Sequence, residues 1–179
     1  MSRRDRAAAR LTARTSGAGS STMDMQHPSP RSKLHDYEVG AVLDRCAHGV
    51  LYHGVDSNQH CAVTIKEYFP LGYAVRDGHS GDVSPVSLDL TEDYRQGLQN
   101  FINETRTLTK LRQTNIVRVR KVVEANGTAY RVMDSVEGTT LRALDPATLR
   151  WTKHELLSLA QGLLAGLETI HEAGLLHHD

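Results

Sequence analysis

The spacing of apolar and polar positions divides this chain into stretches of different character. From Tyr37 onward three runs, YEVGAVL, VLYHGVD and CAVTIKEY, are rich in β-branched and aromatic residues and separated by turn material such as SNQH. They predict an antiparallel meander. RVRKVVEANGTAYRVMD adds two more strands, because Asn126-Gly127 lies between β-type runs and suits the positive φ angles of a type I′ turn. Between the third and fourth strands the period lengthens, and Tyr94, Leu98, Phe101, Thr105, Leu108 and Leu111 recur as one face of a helix. A second helix is predicted over 153–173. Thr152 and Glu155 form its capping box, Leu156, Leu159, Ala160, Leu163, Leu167 and Ile170 its apolar stripe, and Gly174 suits the left-handed position after its end. Residues 69–93, punctuated by Pro70, Pro85, Gly72, Gly78 and Gly81, form a connection long enough to be functional or mobile. The pattern as a whole is α+β: a five-stranded antiparallel sheet with one helix, followed by a further helix.

Composition narrows the function classes. The 179 residues suffice for one domain, or for a small lobe with tails. Net charge is zero, but residues 1–33 hold seven Arg/Lys against two Asp, which leaves 14 basic and 19 acidic residues in the remainder. The ordered part is therefore acidic, which argues against a nucleic-acid partner. Residues 1–33 read as a disordered Arg/Ser-rich leader; they have no apolar h-region, and a start at Met23 or Met25 is compatible with them. No run approaches the roughly 18 apolar residues of a membrane span. Cys46 and Cys61 lack CxxC spacing and fit a reducing compartment, so the expected location is the cytoplasm.

Two charged residues stand out. Lys66 ends the strand VTIK, and the period of two puts Thr64 and Lys66 on one face and Val63 and Ile65 on the other. A solvated strand end explains such a lysine when it stands alone. Glu104 falls inside the apolar sector of the first helix, between Leu98 and Leu111 in angle. Either it snorkels at the edge of the stripe or it has a cationic partner, since an ionised carboxylate removed from water without one is costly. Lys66 is the obvious cation. The loop LDRCAHGVLYHG, residues 43–54, has Gly49 near its tip but no phosphate-loop motif. His171, His177 and His178 lack HExxH or paired Cys/His spacing, so no protein metal site is expected.

In order, the chain shows a hairpin loop, a strand ending in Lys, a helix with an inward Glu, an NG hairpin ending in VMD, a long helix and then HHD. This resembles the first half of a protein kinase catalytic domain. More narrowly, IKEYFP, AVR, YRQGLQNFINETRTL, NIVRV, VVEANGTAYRVM and HEAGLLHHD resemble a bacterial eukaryotic-type (Hanks-type) serine/threonine kinase, over Tyr37 to Asp179. The resemblance implies a kinase N-lobe, sheet plus αC helix, over 34–134, and hinge plus first C-lobe helices over 135–179. It implies that Lys66 contacts the α- and β-phosphates of ATP and pairs with Glu104. Leu43 and Leu51 would pack above the adenine, Gly49 would belong to the phosphate loop, and Thr64 would take the place of the alanine beneath the base. Met133 would stand at the back of the pocket, followed by hinge residues Asp134 to Val136. Asp179 would be the catalytic base, where the HRD-like motif breaks off.

The departures from the family pattern bear on activity. Asp44 and Cys46 stand where the first two glycines of the family's loop belong, and a β-carbon and a negative charge both oppose close phosphate approach. His178 replaces the arginine of HRD. The downstream asparagine and DFG aspartate that hold Mg²⁺ in the family do not occur, so Mg²⁺ would be held by ATP alone. The expectation is weak ATP binding, no phosphoryl transfer by this chain alone, and an exposed stripe on the last helix. The alternative is a non-catalytic, pseudokinase-like regulatory module.

Overall fold

The computed structural model describes residues 32–145 and 150–176. Its frame is a six-stranded antiparallel sheet in the order β1-β2-β3-β4-β8-β7, with β1 at Ser32–Leu34, β2 at Tyr37–Cys46, β3 at Gly49–Asp56 and β4 at Cys61–Tyr68. A two-stranded sheet of β5 (Ala74–Arg76) and β6 (Val83–Pro85) precedes helix α1 (Thr91–Leu108). β7 (Val119–Ala125), β8 (Thr128–Asp134) and helix α2 (Lys153–Glu172) complete the chain. The five predicted strands are all present. The sixth is β1, in which Ser32 and Lys33, read from composition as leader, form a ladder with Val39 and Glu38. Two local features draw them in: Leu34 is buried, and His35 takes a left-handed φ of 52° that turns the chain sharply.

Asn126 and Gly127 have φ of 52° and 69°, the double positive that a type I′ turn requires, and Ala125 faces Thr128 across it. Lys121 brings the sheet's two ends together: its ammonium lies 4.8 Å from the Tyr37 ring centroid and 3.4 Å from the Asp36 carboxylate. The sheet thus curls around a core in which Tyr52, Val63, Ile65 and Val132 are wholly enclosed.

The long connection is ordered by a buried ion pair. Arg76 on β5 donates to Glu67 on β4 at 2.5 Å, with 3% and 0% of the side chains exposed, and Tyr52 donates to the other Glu67 oxygen at 2.8 Å. Burial, and then the Glu67 charge, push the Tyr52 hydroxyl well above the ordinary phenol range, which keeps it a donor. Removing one partner of such a pair costs about 3–5 kcal/mol, because the other charge is left buried and unmatched. Residues 69–93 are therefore tied to the core through a short hairpin rather than left as a plain loop.

Helix α1 lies on the sheet with Tyr94, Phe101, Ile102 and Thr105 buried. Tyr68 stacks on Tyr94 and Phe101 at 5.4 and 5.7 Å, and Tyr94 donates to the Gly127 carbonyl. The helix stops at Leu108, short of the predicted Leu111, where Thr109 and Lys110 donate to Thr105 and Thr107 in a tightened last turn. Helix α2 has the predicted capping box, with Glu155 N–H donating to Thr152 and Thr152 N–H to Glu155. Gly174 follows its end at φ 75°.

Candidate functional site

Strand register assembles most of the expected nucleotide residues on one face. Lys66 pairs with Leu51 on one side and Arg131 on the other; one row along, Thr64 pairs with His53 and Met133. Direct partners and alternate residues share a face, so Leu51, Thr64, Lys66 and Met133 all leave the same side of the sheet. The opposite side carries Val63, Ile65 and Glu67, all buried, whereas Leu51, Thr64, Lys66 and Met133 are each half-buried. The result is an apolar-edged shelf with one ammonium on it.

Glu104 is on the same side of the sheet as Lys66, but the expected Lys66–Glu104 pair is not formed. Glu104 instead accepts from Arg131 at 2.8 Å. The arginine is held along its length: its Nε donates to Thr105 at 3.0 Å and its guanidinium lies 4.8 Å from the Phe101 ring centroid. A planar fork stacked on an aromatic face outcompetes a flexible lysine for the same carboxylate. Among the described residues, Lys66 makes no salt bridge. Sequence reasoning missed Arg131. The available signal was a charged residue between Tyr130 and Val132, in register with the inward-facing Ala129.

Packing and hydrogen bonding account for part of the loop's sequence. β2 and β3 join through Ala47-His48, with Cys46 opposite Gly49. The Asp44 carboxylate accepts from the Arg45 N–H at 2.8 Å. Gly49 is buried, and a β-carbon there would lie 2.1 Å from the Glu67 carbonyl oxygen. Its glycine thus permits close strand packing, while Leu71 N–H donates to the Ala47 carbonyl and ties the turn down. A cavity of about 300 Å³ beside this turn is lined by Arg45, Val50, Phe69 and Leu71 among others. Val50 faces away from Leu51, so the cavity sits on the far side of β3 from the Lys66 shelf.

At the start of the hinge, Asp134 accepts from Arg120 at 2.5 Å and its N–H donates to the Arg118 carbonyl at 2.9 Å. Arg120 also donates to Asp56 at 3.2 Å, which links the hinge to the β3–β4 turn. A hydrogen bond from Arg120 to Asp134 raises the guanidinium's pKa above its already high ordinary value, so its charge is permanent. Leu43 and Val136 are exposed at 54% and 67%. Asp179, His177 and His178 lie outside the described residues. Among the described residues no group of His, Cys, Asp or Glu could hold a metal ion, and no helix is long and apolar enough to cross a membrane.

The protein kinase domain family matches residues 85–179, more than half of the chain, and the chain belongs to that family. Human dual specificity testis-specific protein kinase 1 is 30% identical over 123 residues, 67% of this chain and 19% of that protein. Human serine/threonine-protein kinase H1 is 28% identical over 106 residues, 59% of this chain and 25% of that protein. Among solved structures, the apo form of PpkA-294 superposes with a TM-score of 0.75 at 26% identity, covering 84% of this chain and 54% of that one. The chain thus spans a quarter or less of those two curated relatives. The architecture is that of a protein kinase: a β-sheet lobe with its packed helix, followed by a further helix. The family match begins at Pro85, so it includes Glu104 and Arg131 but not Lys66 or the loop before it.

Proposed function

We propose that this chain is the ATP-binding portion of a cytoplasmic serine/threonine protein kinase of the bacterial eukaryotic type, with a nucleotide lobe over 34–134 and the start of a second lobe over 135–179. One observation carries the reading: Leu51, Thr64 and Met133 leave the same half-open face as Lys66, whose ammonium has no salt-bridge partner among the described residues. That face suits an apolar base with an anion at its end. Lys66 holds phosphate, Met133 closes the back, and Asp134 to Val136 run along the base. Leu43 and Leu51 cover it, and Gly49 keeps the covering hairpin close to β4. Asp179 receives the proton of the protein acceptor's hydroxyl, and Glu104 orients the site from helix α1. Mg²⁺ arrives with the nucleotide.

A polypeptide of these 179 residues on its own binds Mg-ATP weakly and transfers no phosphate, because the Asp44 charge opposes the anion and its sequence carries neither the asparagine nor the DFG aspartate that hold Mg²⁺ in the family. A second reading, a non-catalytic regulatory module, draws on Asp44, on Cys46, and on the Glu104–Arg131 pair. Thermal unfolding with Mg-ATP tests the binding step. At about five times Kd the stabilisation is ~1 kcal/mol, or about 2–4 °C, and it disappears in Lys66→Met. Absence of any shift at high Mg-ATP refutes the nucleotide reading and favours the regulatory module. Incorporation of phosphate into a generic acceptor protein, lost in Lys66→Met, refutes the predicted inactivity.

A further inference from the structure

The β5–β6 hairpin carries apolar residues on both of its faces. On the inner face Ala74 and Val83 join the core, and Arg76 is buried in its pair with Glu67. Tyr73 and Val75 alternate with Ala74 and Arg76 and so face outward. The Val86 N–H donates to the Tyr73 carbonyl at 3.0 Å, which sets Val86 beside Tyr73 on that outer face. All three are exposed, as are Leu71 and Leu88 at the two ends, Leu88 at 93%. A strand that meets water on one side ordinarily carries polar residues there, whereas apolar residues on both sides belong to a sheet covered on both sides. The Arg76–Glu67 pair anchors the hairpin from beneath, so the face is preorganised for a ligand. Leu71 also belongs to the wall of the cavity of about 300 Å³ beside the β2–β3 turn, which extends the apolar surface into a pocket.

Charge selects what covers this face. Asp77 and Asp82 stand at the loop end of the hairpin, and Asp89, Glu92 and Asp93 follow Leu88 into the first turn of α1; all five are exposed. The one arginine of the hairpin, Arg76, is turned inward to Glu67. Pairing the face with a second copy of itself would set carboxylates against carboxylates, which opposes a symmetric dimer here. We propose that the outer face of β5–β6 is a docking surface for a partner protein, which it takes through an Arg/Lys-rich segment bearing aliphatic or aromatic anchors. The anchors cover Tyr73, Val75 and Val86, and the cations lie along the acidic rim. Glu67 leaves the sheet on the side opposite Lys66, so the hairpin covers the side away from the shelf, and docking leaves the shelf open.

The test selects binders for the immobilised full chain from a displayed library of random peptides and measures the selected peptides by fluorescence anisotropy. The enriched sequences carry net positive charge and apolar anchors. They bind Val75→Ser/Val86→Ser at least about tenfold more weakly than the parent. They bind Asp89→Asn/Glu92→Gln/Asp93→Asn about threefold to tenfold more weakly at about 0.05 M salt, a difference that shrinks at about 0.5 M. Leu156→Gln/Leu163→Gln leaves their affinity unchanged. Urea unfolding checks that the variants are folded, and should the serine variant lose its hairpin, the charge variant decides. The proposal is overturned if no peptide is enriched, if the enriched peptides are acidic or uncharged, or if their binding survives the hairpin and rim variants and follows the α2 leucines instead. It is also overturned if peptides bind only after Arg3, Arg4, Arg6 and Arg10 are replaced by Gln, since the chain's own arginines then occupy the face. Nucleotide enters none of these measurements, so their outcome is separate from that of the Lys66 shelf.

Discussion

Asp56 closes β3 and carries three donors on one carboxylate. Gln59 and Asn58 N–H groups both donate to Oδ1 at 3.0 Å, and Arg120 donates to Oδ2 at 3.2 Å. The Gln59 N–H first, then that of Asn58 and the Arg120 charge, hold its pKa below the usual carboxylate value despite opposing desolvation. A carboxyl with a depressed folded pKa stabilises the fold above its unfolded pKa, and that stability is lost as pH falls through the folded value. Asp56→Asn is therefore destabilising at pH 7, and the Tm gap between parent and variant narrows as pH drops below about 4. A gap that stays constant from neutral pH down to about pH 3 would show that the charge of Asp56 contributes nothing. Individual residues of this kind were partly legible in the sequence. Lys66 and Glu104 stood out because each broke a local pattern, but the choice of partner depended on which strand residue lay beside Lys66, and that register is set by the β4–β8 pairing. Arg131 was hidden for the same reason, since a charge within a strand reads as solvent-facing until the helix above it is placed.

At the scale of elements, the turns carry their own chemistry and were readable from it. Asn126-Gly127 and the Thr152/Glu155 box use only neighbouring residues, so the sequence contains all of their determinants. The β5–β6 hairpin was not readable, because what orders it is a contact from Arg76 to Glu67, two residues whose proximity needs the whole sheet. Gly49 joins both kinds of information. It reads as a phosphate-loop glycine, yet its missing side chain is needed against the backbone of β4, where the Glu67 carbonyl stands 2.1 Å from any added β-carbon. The β4 backbone cannot retreat easily, because Glu67 is locked to Arg76 and Tyr52. Gly49→Ala therefore destabilises the nucleotide-free protein by about 1–3 kcal/mol, the usual cost of overpacking, as read by urea unfolding. Were the glycine needed only for phosphate approach, the free protein would unfold at the parent's urea midpoint and only ATP binding would change.

For the molecule as a whole, the two helices differ in how they are used. Helix α1 buries its stripe on the sheet, whereas α2 meets the rest of the described chain through its glycine edge, with Gly162 and Gly166 against Asn115. Glycines four apart in a helix allow that close approach at the cost of side-chain burial. Its leucines gain little from the contact: Leu156, Leu157, Leu163 and Leu164 stay exposed at 51%, 52%, 56% and 65%. Full burial of a leucine is worth roughly 1.5–3 kcal/mol, so about half of that gain is unrealised at each of the four positions. A polypeptide of these 179 residues should therefore self-associate through α2. Leu156→Gln/Leu163→Gln shifts it toward monomer in sedimentation velocity at micromolar concentration, and lowers monomer stability by no more than about 1.5 kcal/mol per site, because only about half of each side chain is covered. Salt identifies the force responsible. Association through these leucines strengthens in ammonium sulfate, which favours apolar burial. Association that dissolves as ionic strength rises would instead be charge pairing, since salt shortens the reach of exposed charges to about 10 Å at 0.1 M and to about 3 Å at 1 M.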